Sequence, residues 1–451
     1  MPTEDTDLDD FRAFQKTARS NYLALVVEAA LERLRVIGIL TRAEEQGSTL
    51  NREAWKLWQS SSLDADQVLV HRTALSLRRA YVIVVPHPRK TNRVLISPED
   101  PREVIVETWP EDRREVRAAL KLTYDAVRNR DVAYVYLMDG VHVYDGPERD
   151  SLTKAERSAL WTPDTFNNWT FSRRMPNPTP GEIPVVEFAN RPGLGQTASA
   201  EFEDVIDIQN RINATLLHRL IAEKFAVIRQ RMLLNLEFDE EEILDAEGNS
   251  TGETHTVVPE LPNDPRAVWL LQGDKLTFAE TSQTSTSDIL SGVEADIRDL
   301  AAITRTPPHY LLNSIVNASG DALKSAETGL VSKVKEHISQ FADSWERVMH
   351  LALRISRIEI EATDLEIRWA DPESRSLAEI YDAASKAVVA GETWAARMRL
   401  IGHSPEEIAA MEIERTQDAF LAALAQPATP ATPGAQDDQT EEPDAPAEPT
   451  P

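Results

Sequence analysis

Apolar side chains recur every three or four positions near the start of the chain, which is the spacing of one helical face. The residues on this face are Phe11, Phe14, Ala18, Tyr22, Leu25 and Ala29. Trp55 and Trp58 indicate a second helical segment. The pattern then changes to short runs rich in β-formers at 81–85, 104–106, 133–137 and 141–144. The sequence therefore predicts a mixed α+β domain over residues 1 to about 195, closed by a proline-rich stretch at 176–184.

The last two of these runs are separated only by Asp139 and Gly140. A two-residue connection of this composition predicts a β-hairpin with a type I′ turn, in which both central residues take positive φ.

Two long helices with an insertion between them are predicted next. Ser199 is a candidate N-cap for a helix over about 200–231, whose apolar stripe comprises Phe202, Val205, Ile212, Leu216, Leu220 and Val227. We expect an irregular acidic insertion over about 233–280 that ends in a hairpin, with strands at 268–271 and 275–278. A second helix over about 288–304 ends before Pro307 and Pro308, because proline cannot continue the hydrogen-bond ladder.

The last part of the chain is also predicted to be mainly helical. Beyond a loop at 305–320, apolar residues keep helical spacing from Leu323 to Ile355, which predicts the longest helix. A strand at 365–369 and a helical cluster at 377–424 complete the predicted fold. Residues 426–451 contain seven prolines and six acids but no basic or aromatic residue, a composition typical of disorder.

The charge of the chain excludes some functions. With 48 Lys and Arg against 75 Asp and Glu, the 451 residues carry a formal net charge of −27. An ordinary nucleic-acid-binding protein presents a basic patch, and a protein that docks on anionic lipid needs basic clusters, so both classes are disfavoured. A protein past which DNA slides without sticking remains compatible with this charge.

Cysteine chemistry and membrane insertion are disfavoured as well. The chain has no cysteine, which excludes disulfides, thiolate metal sites and cysteine nucleophiles. Its apolar run at 81–85 is far shorter than the roughly 20 residues that a membrane span needs. Residues 1–10 are acidic, which is untypical of a secretory or organellar signal.

Two short motifs invite a ligand-binding interpretation. Gly193-x-Gly195-x-x-Ala198 fits the dinucleotide fingerprint, but the long helix after it does not return to a second strand, so a corner between domain and helix is favoured. The acidic run that starts at Asp245 resembles a calcium loop. It lacks the glycine and the glutamate that such a loop requires at its sixth and twelfth positions.

No catalytic residue, metal site or cofactor follows from the sequence. The chain has no GxxxxGK[ST] loop, and its nine histidines form no HExxH pair. Pairs of acids at helical spacing are most often solvated faces. We therefore expect a protein that is not an enzyme and that has no ATPase of its own.

Several segments resemble, in order, those of the portal proteins of tailed bacteriophages, which form the ring at the junction of head and tail. They are Ala54-Trp55 with Trp58-Gln59, Leu63-Asp64-Ala65, Ala80-Tyr81-Val82, Gly181-Glu182-Ile183-Pro184-Val185-Val186 with Phe188 and Asn190, Glu201-Phe202-Glu203-Asp204-Val205, Arg305-Thr306-Pro307-Pro308-His309-Tyr310-Leu311-Leu312, Asn317-x-Ser319-Gly320-x-Ala322-Leu323, and Trp394 with Ile401-Gly402-His403-Ser404 and Glu407-Ile408. Each segment alone is weak, and their order makes the resemblance specific.

The resemblance implies an α+β, predominantly helical subunit with named parts. These parts are an α+β wing (1–199, with a long helix and strand at 322–372), a two-helix stem (200–231 and 286–304), a small α/β clip (232–285), a tunnel loop (305–321), a helical crown (373–425) and the disordered tail (426–451). About twelve copies would form a ring around a central channel.

The resemblance also implies the function and the partners. The ring would stand at one vertex of the capsid, where a terminase drives double-stranded DNA in and through which the DNA later exits. Head-completion or adaptor proteins, the major capsid protein and scaffolding proteins would contact it, and no membrane would. The ring would assemble in the host cytoplasm and become part of the virion.

Two groups of residues are the candidate sites. The tunnel loop would contact DNA through short polar residues with one nearby cation, namely Asn313, Ser314, Asn317, Ser319, Gly320 and Lys324. The acidic clip residues Asp239, Glu240, Glu241 and Glu242 would dock the motor or an adaptor. Ser319 or Asp321 is a candidate cap for the helix that follows the loop.

Two alternatives are left open by the residues themselves. The long helices and the acidic tail also suit a non-portal oligomeric scaffold or adaptor protein of a virion. Clustered acids also suit a metal-dependent hydrolase. An open channel in images of the oligomer would distinguish a portal from both.

Overall fold

The structure is a computed structural model that describes most of the chain. The described residues are 5–41, 47–91, 93–151, 168–195, 197–227, 231–234, 239–244, 248, 250–257, 277–280, 286–312, 320–373 and 375–425. They fall into two compact units, Met1–Glu379 and Ile380–Pro451.

Helices and strands alternate in the first unit before the chain becomes mainly helical. The helices are α1 (Asp5–Thr17), α2 (Tyr22–Leu31), α3 (Gly47–Ser60), α4 (Leu63–Leu77), α5 (Ile206–Val227), α6 (Thr286–Ile303), α7 (Pro308–Leu311), α8 (Gly320–Ile355), α9 (Leu377–Val389), α10 (Trp394–Ile401) and α11 (Pro405–Ala425). The strands are β1 (Val36–Thr41), β2 (Arg79–Pro86), β3 (Val94–Glu99), β4 (Val104–Thr108), β5 (Val116–Asp125), β6 (Arg130–Leu137), β7 (Gly140–Glu148), β8 (Thr170–Met175), β9 (Val185–Ala189), β10 (Arg231–Leu234), β11 (Asp239–Leu244), β12 (Ser250–Val257), β13 (Thr277–Glu280) and β14 (Leu365–Trp369). The predicted mixture of helix and sheet is confirmed.

The N-terminal helix of the prediction is two helices. The chain breaks between α1 and α2, where the Asn21 side chain accepts a hydrogen bond from the Ala24 N–H at 3.2 Å and so caps α2. Apolar spacing continues across the break, and periodicity alone does not detect a cap in its middle. The helix with Trp55 and Trp58 is confirmed as α3, whereas β1 and α4 were not predicted.

The four predicted β-runs at 81–85, 104–106, 133–137 and 141–144 are confirmed, and every strand pairing in the described part of the chain is antiparallel. The strands form a five-stranded sheet in the order β4-β5-β6-β7-β8, a three-stranded sheet β3-β2-β9 and the pair β1-β14. Leu137 pairs with Gly140 in the predicted hairpin. The type I′ turn is wrong, because the two residues between the paired Leu137 and Gly140 are Met138 and Asp139, and neither has a positive φ. Gly140 is the first residue of β7, with a φ of 156°, and a Cβ there would lie 2.6 Å from the Met175 carbonyl oxygen, so position 140 needs a glycine.

The longest helix, α8, is confirmed and forms the centre of the main core. Its Trp345 meets Trp58 and Phe188 edge-on, with ring centroids 5.0 and 4.8 Å apart. On the same face, His71 of α4 stacks on Phe341 at 5.3 Å. All five side chains are fully buried, so α8 holds α3, α4 and β9 in one core.

The first long helix of the second half starts later than predicted. α5 begins at Ile206; ahead of it, residues 197–202 form a strap that is neither helix nor strand and that leads into a short 3₁₀ helix, Glu203–Val205. The strap is bonded to its surroundings, because the Ser199 N–H donates to the Asn190 carbonyl and the Glu201 N–H donates to the Leu75 carbonyl. Ser199 therefore does not cap a helix. The strap belongs to the connection between β9 and α5, where the sequence favoured a corner between domain and helix over a nucleotide-binding turn.

The two long helices that flank the insertion pack together. Val205, just before α5, and Ile212 share a buried cluster with Val293, Ile297 and Leu300 of α6. Arg211 adds two hydrogen bonds to Asp296, of 3.0 and 2.8 Å. The predicted span of α6 is confirmed to within two residues at its start and one at its end.

The insertion is more regular than predicted. β10 pairs with β13 and β11 pairs with β12, both antiparallel. The first of these ladders joins the distant ends of α5 and α6. Of the predicted hairpin, residues 268–271 lie outside the described residues, and the described strand at 277–280 pairs with 231–234.

The end of the fold agrees with the prediction. β14 and the helices α9, α10 and α11 cover the expected strand and helical cluster. The Thr393 side chain caps the start of α10, and Gly402 ends it with a left-handed φ of 105°. The tail prediction concerns residues 426–451, which lie outside the described residues.

Candidate functional site at the junction of α6 and α8

The turn that ends α6 directs the chain toward the predicted tunnel loop. The Thr306 N–H donates to the Ala301 carbonyl at 2.9 Å, and the Arg305 N–H donates to the Ala302 carbonyl at 3.3 Å. These two bonds form a Schellman motif, whose left-handed residue is normally glycine. Here that residue is Arg305, with φ of 52°. A side chain in this conformation costs about 1–2 kcal/mol, so other contacts must hold the turn.

Pro307 and Pro308 follow this turn and do not cause it. α6 ends at Ile303, and Pro308 is the first residue of the short helix α7, where proline is favoured because its missing N–H would be unpaired anyway. The predicted position of the α6 C-terminus is therefore confirmed, but its cause is the C-cap and not the two prolines that follow it.

Arg33, in the segment after α2, connects α7 to two neighbouring segments. Its guanidinium donates to the Tyr310 hydroxyl at 3.2 Å and to the Pro372 carbonyl at 2.8 Å. The same group pairs with Glu327 of α8 at 3.1 Å, and His309 lies 3.7 Å from the same carboxylate. Because one side chain joins α7, α8 and the segment after β14, the position of α7 is fixed by several elements at once.

A buried ion pair also contacts the turn that ends α6. The Lys333 ammonium lies 2.9 Å from the Glu201 carboxylate and donates to the Thr304 carbonyl at 2.8 Å. The side chains of Lys333 and Glu201 are only 8% and 3% exposed, and His337 Nε2 lies 3.2 Å from the other Glu201 oxygen. The strap, the end of α6 and the middle of α8 therefore meet at one buried charge pair.

Burial and charge act in opposite directions on the pKa of Glu201. Burial alone would raise it, but the neighbouring His337 ring and the Lys333 ammonium outweigh burial and lower the pKa to about 2. Burial lowers the pKa of Lys333, and Glu201 offsets only part of that effect. The carboxylate is therefore firmly ionised, and the ammonium depends on it as its counter-charge.

The predicted tunnel-loop residues are only partly placed. Asn313, Ser314, Asn317 and Ser319 lie outside the described residues. Gly320 and Asp321 are the first two residues of α8, so Asp321 is not at the position that precedes this helix. Lys324 is half-exposed and pairs with Glu379, whose pKa this contact lowers. The predicted cation is therefore already engaged by a carboxylate.

The predicted clip residues lie together on one regular strand. Asp239, Glu240, Glu241 and Glu242 begin β11, opposite Val257, Thr256, His255 and Thr254 of β12. The sequence indicated an irregular loop here, because acids are uncommon in strands. The four acids are thus held at fixed spacing on a hairpin.

Sequence reasoning missed the two contacts that hold the junction. Glu201 falls at the start of the predicted helix over about 200–231, where an acid is favourable, and Arg33 has no predicted role. One signal was present, since Lys333 and His337 interrupt the apolar face of α8 that also carries Leu330 and Val334. A charged residue on a buried face needs an oppositely charged or hydrogen-bonding partner. The sequence alone does not show which residue is that partner.

The described part of the chain contains neither a candidate metal-ligand cluster nor a candidate membrane-spanning helix. Within it, no group of three or more His, Asp or Glu side chains is placed to hold a metal ion. None of its helices is long and apolar enough to cross a bilayer.

Comparison with known proteins identifies the family. Residues 9–419 match the family described as "Phage portal protein, SPP1 Gp6-like". The portal protein of Mycobacterium phage D29 is 24% identical over 424 residues, covering 90% of this chain and 80% of that protein. The portal protein of Mycobacterium phage L5 is 24% identical over 388 residues, covering 82% and 73%. A solved structure titled "Neck of native GTA particle computed with C12 symmetry" aligns with a TM-score of 0.43 and 10% identity, covering 84% and 88%. The family match spans nearly the whole sequence, and the chain belongs to the phage portal protein family.

Proposed function

We propose that this protein forms a ring-shaped channel at one vertex of a phage capsid, through which viral DNA enters and later leaves. The observation that carries the proposal is the family match over residues 9–419. The match favours a portal over a virion scaffold or adaptor and over a metal-dependent hydrolase. In this role the chain performs no chemical step, and a separate terminase supplies the energy of packaging.

We propose that the subunit divides into the parts that the resemblance to portal proteins implies. Residues 1–199 and 322–372 form the wing, 200–231 and 286–304 the stem, 232–285 the clip, 305–321 the tunnel loop and 373–425 the crown. The stem assignment is supported by the packing of α5 on α6 and by the β10–β13 ladder at their distant ends. About twelve copies would close the ring.

Exposed apolar side chains on the stem helices support lateral contact between copies. Ile206 of α5 is 41% exposed, and Ile303 of α6 is 53% exposed. Within the second unit, the helix α11 exposes Ile413, Phe420 and Leu421. In the proposed ring a neighbouring copy covers these side chains, which favours assembly by removing apolar surface from water.

The charge of the chain suits a channel for DNA. The net charge of −27 gives a ring of such subunits a strongly negative potential, which repels the phosphate backbone and prevents tight binding. We propose that the tunnel loop contacts DNA through Asn317 and Ser319. Replacing both with Asp should leave rings intact and reduce the amount of packaged DNA, whereas unchanged packaging would contradict this role.

Imaging of the purified protein tests the ring. We expect end-on views in negative stain or cryo-EM that show a closed ring with an open axial channel. Ile206→Asp should abolish rings, because it places a charge in the proposed contact between stem helices. An aspartate is favourable in the first turn of a helix, so the substitution should not destabilise α5 itself. Val127→Asp is the matched control, since Val127 is 95% exposed on the turn between β5 and β6. A wild-type protein that forms no ring would refute the proposal.

The acidic strand β11 is the proposed docking surface of the clip. Replacing Asp239, Glu240, Glu241 and Glu242 with the corresponding amides should leave rings intact and weaken binding of the terminase or of a head-completion protein. Neutralising the exposed pair Glu412 and Glu414 of α11 is the control. Equal binding of both partners by the neutralised strand and by wild type would rule out this docking surface.

A further inference from the structure

Lys333 lies on the buried face of α8, where apolar side chains are expected. Its neighbours Leu330 and Val334 are fully buried. A buried ammonium is costly unless it is paired and hydrogen-bonded. Both conditions are met, since Glu201 supplies the counter-charge and the Thr304 carbonyl accepts a hydrogen bond.

The Thr304 carbonyl is a special acceptor because Thr304 is the C-cap residue, directly after the last residue of α6. The final carbonyls of a helix have no partner within the helix, and they carry the negative end of its dipole. A lysine near this end satisfies such a carbonyl and is attracted by the dipole. In this protein the capping lysine comes from a different helix, 29 residues further along the chain.

We propose that Lys333 is a positioning residue that fixes the direction in which the chain leaves α6. Its ammonium holds the carbonyl next to Arg305, the residue whose left-handed backbone makes the turn. Glu201 holds the ammonium in turn. The structural role of Lys333 does not depend on the proposed function. Only its purpose rests on that function, because the segment that Lys333 positions leads to the loop proposed to contact DNA.

The pair also connects elements that would otherwise be independent. Glu201 lies on the strap, whose backbone is bonded to the end of α4 through the Leu75 carbonyl. Through one ion pair, the strap, α8 and the end of α6 are therefore held in a fixed relation. Losing the pair should loosen the turn at Arg305 while leaving the aromatic core around Trp345 intact.

A double substitution, Glu201→Gln with Lys333→Met, tests the proposal in the full-length protein. The double variant is preferred to Lys333→Met alone, because a single substitution leaves a buried carboxylate unpaired and destabilises the whole fold. The control removes an exposed pair on α6 itself, by Glu294→Gln with Arg298→Met; the two side chains are more than half exposed. The measurement is hydrogen exchange of the backbone amides, read by mass spectrometry on the full-length protein in the assembly state that it adopts in solution.

The amides of 304–306 report on the turn, and those of α4 report on the core. We expect exchange at 304–306 to rise by about tenfold or more in the double variant, with α4 and the control unchanged. Unchanged exchange at 304–306 overturns the proposal, and so does an equal loss of protection in α4, which would mean a purely structural role. Wild-type protein that forms no ring would refute the proposed function instead, and the exchange experiment would still decide the role of Lys333.

Discussion

His71 makes the core of this protein sensitive to acid. The side chain is fully buried, and its Nε2 accepts a hydrogen bond from the Trp345 indole N–H at 2.9 Å. Burial and the nearby His337 lower the pKa of His71 from 6.5 to about 3. Protonation would place a charge between Phe341 and Trp369 and would remove the only lone pair that the indole uses, so the fold holds the neutral ring.

The sign and size of the effect follow from linkage. Between pH 6.5 and about 3 the unfolded chain binds a proton at His71 and the folded chain does not, so stability is greatest above pH 6.5 and falls as the pH falls. The complete shift corresponds to about 5 kcal/mol, of which about half is lost between pH 7 and pH 4.5. Other groups titrate in the same range. The effect of His71 must therefore be measured as the difference in unfolding free energy between wild type and a variant without this histidine.

His71→Phe provides that difference. The variant keeps an aromatic ring in the stack but leaves the Trp345 N–H without an acceptor, which should cost about 1–3 kcal/mol at pH 7. At pH 4.5 we expect this deficit to shrink by about 2–3 kcal/mol, because only the wild-type chain has a histidine at position 71 that binds a proton on unfolding. Urea unfolding at equal protein concentration, followed by tryptophan fluorescence at pH 7, 5.5 and 4.5, measures both chains. A deficit that stays constant over this range would refute the reasoning.

Three further predictions concern backbone geometry and the tail. Arg305→Gly should raise the free energy of unfolding by about 0.5–1 kcal/mol in denaturant titrations, because glycine adopts the left-handed turn without strain, whereas Arg305→Ala should give no gain. Gly140→Ala should lower it by about 1–3 kcal/mol, since the new Cβ meets the Met175 carbonyl, and Gly195→Ala, which meets nothing within 4 Å, is the comparison. A chain that ends at Ala425 should form the same rings in electron micrographs as the full chain, and failure to assemble would assign the tail a structural role.

The parts of the fold that could be predicted are those governed by local periodicity. The long helices α6 and α8 and the strands β2, β6 and β7 each follow from an apolar pattern with the correct period. The break between α1 and α2 could not be seen in the same way. A single Asn21 cap interrupts a pattern that continues on both sides, and the cap is decided by one side-chain hydrogen bond.

The candidate site was predictable only in its position along the chain. Turn-forming residues after α6 correctly indicated a junction there. The contacts that hold it involve Arg33, Glu201 and Lys333, which are far apart in sequence and are joined by tertiary packing. Glu201 also illustrates an ambiguity, because an acid before a long helix suits a helix N-terminus as well as it suits a buried ion pair.

The pairing of β1 with β14 has a consequence for synthesis of the protein. β1 ends at Thr41, and its partner strand begins at Leu365. At 5–20 residues per second, the ribosome needs about 20–70 s to make the chain between them. During that time β1 has no partner strand to pair with. The core around Trp345 is completed equally late. Nearly the whole subunit must therefore emerge before it can fold, and assembly competes with aggregation of nascent chains whose apolar surfaces are still uncovered.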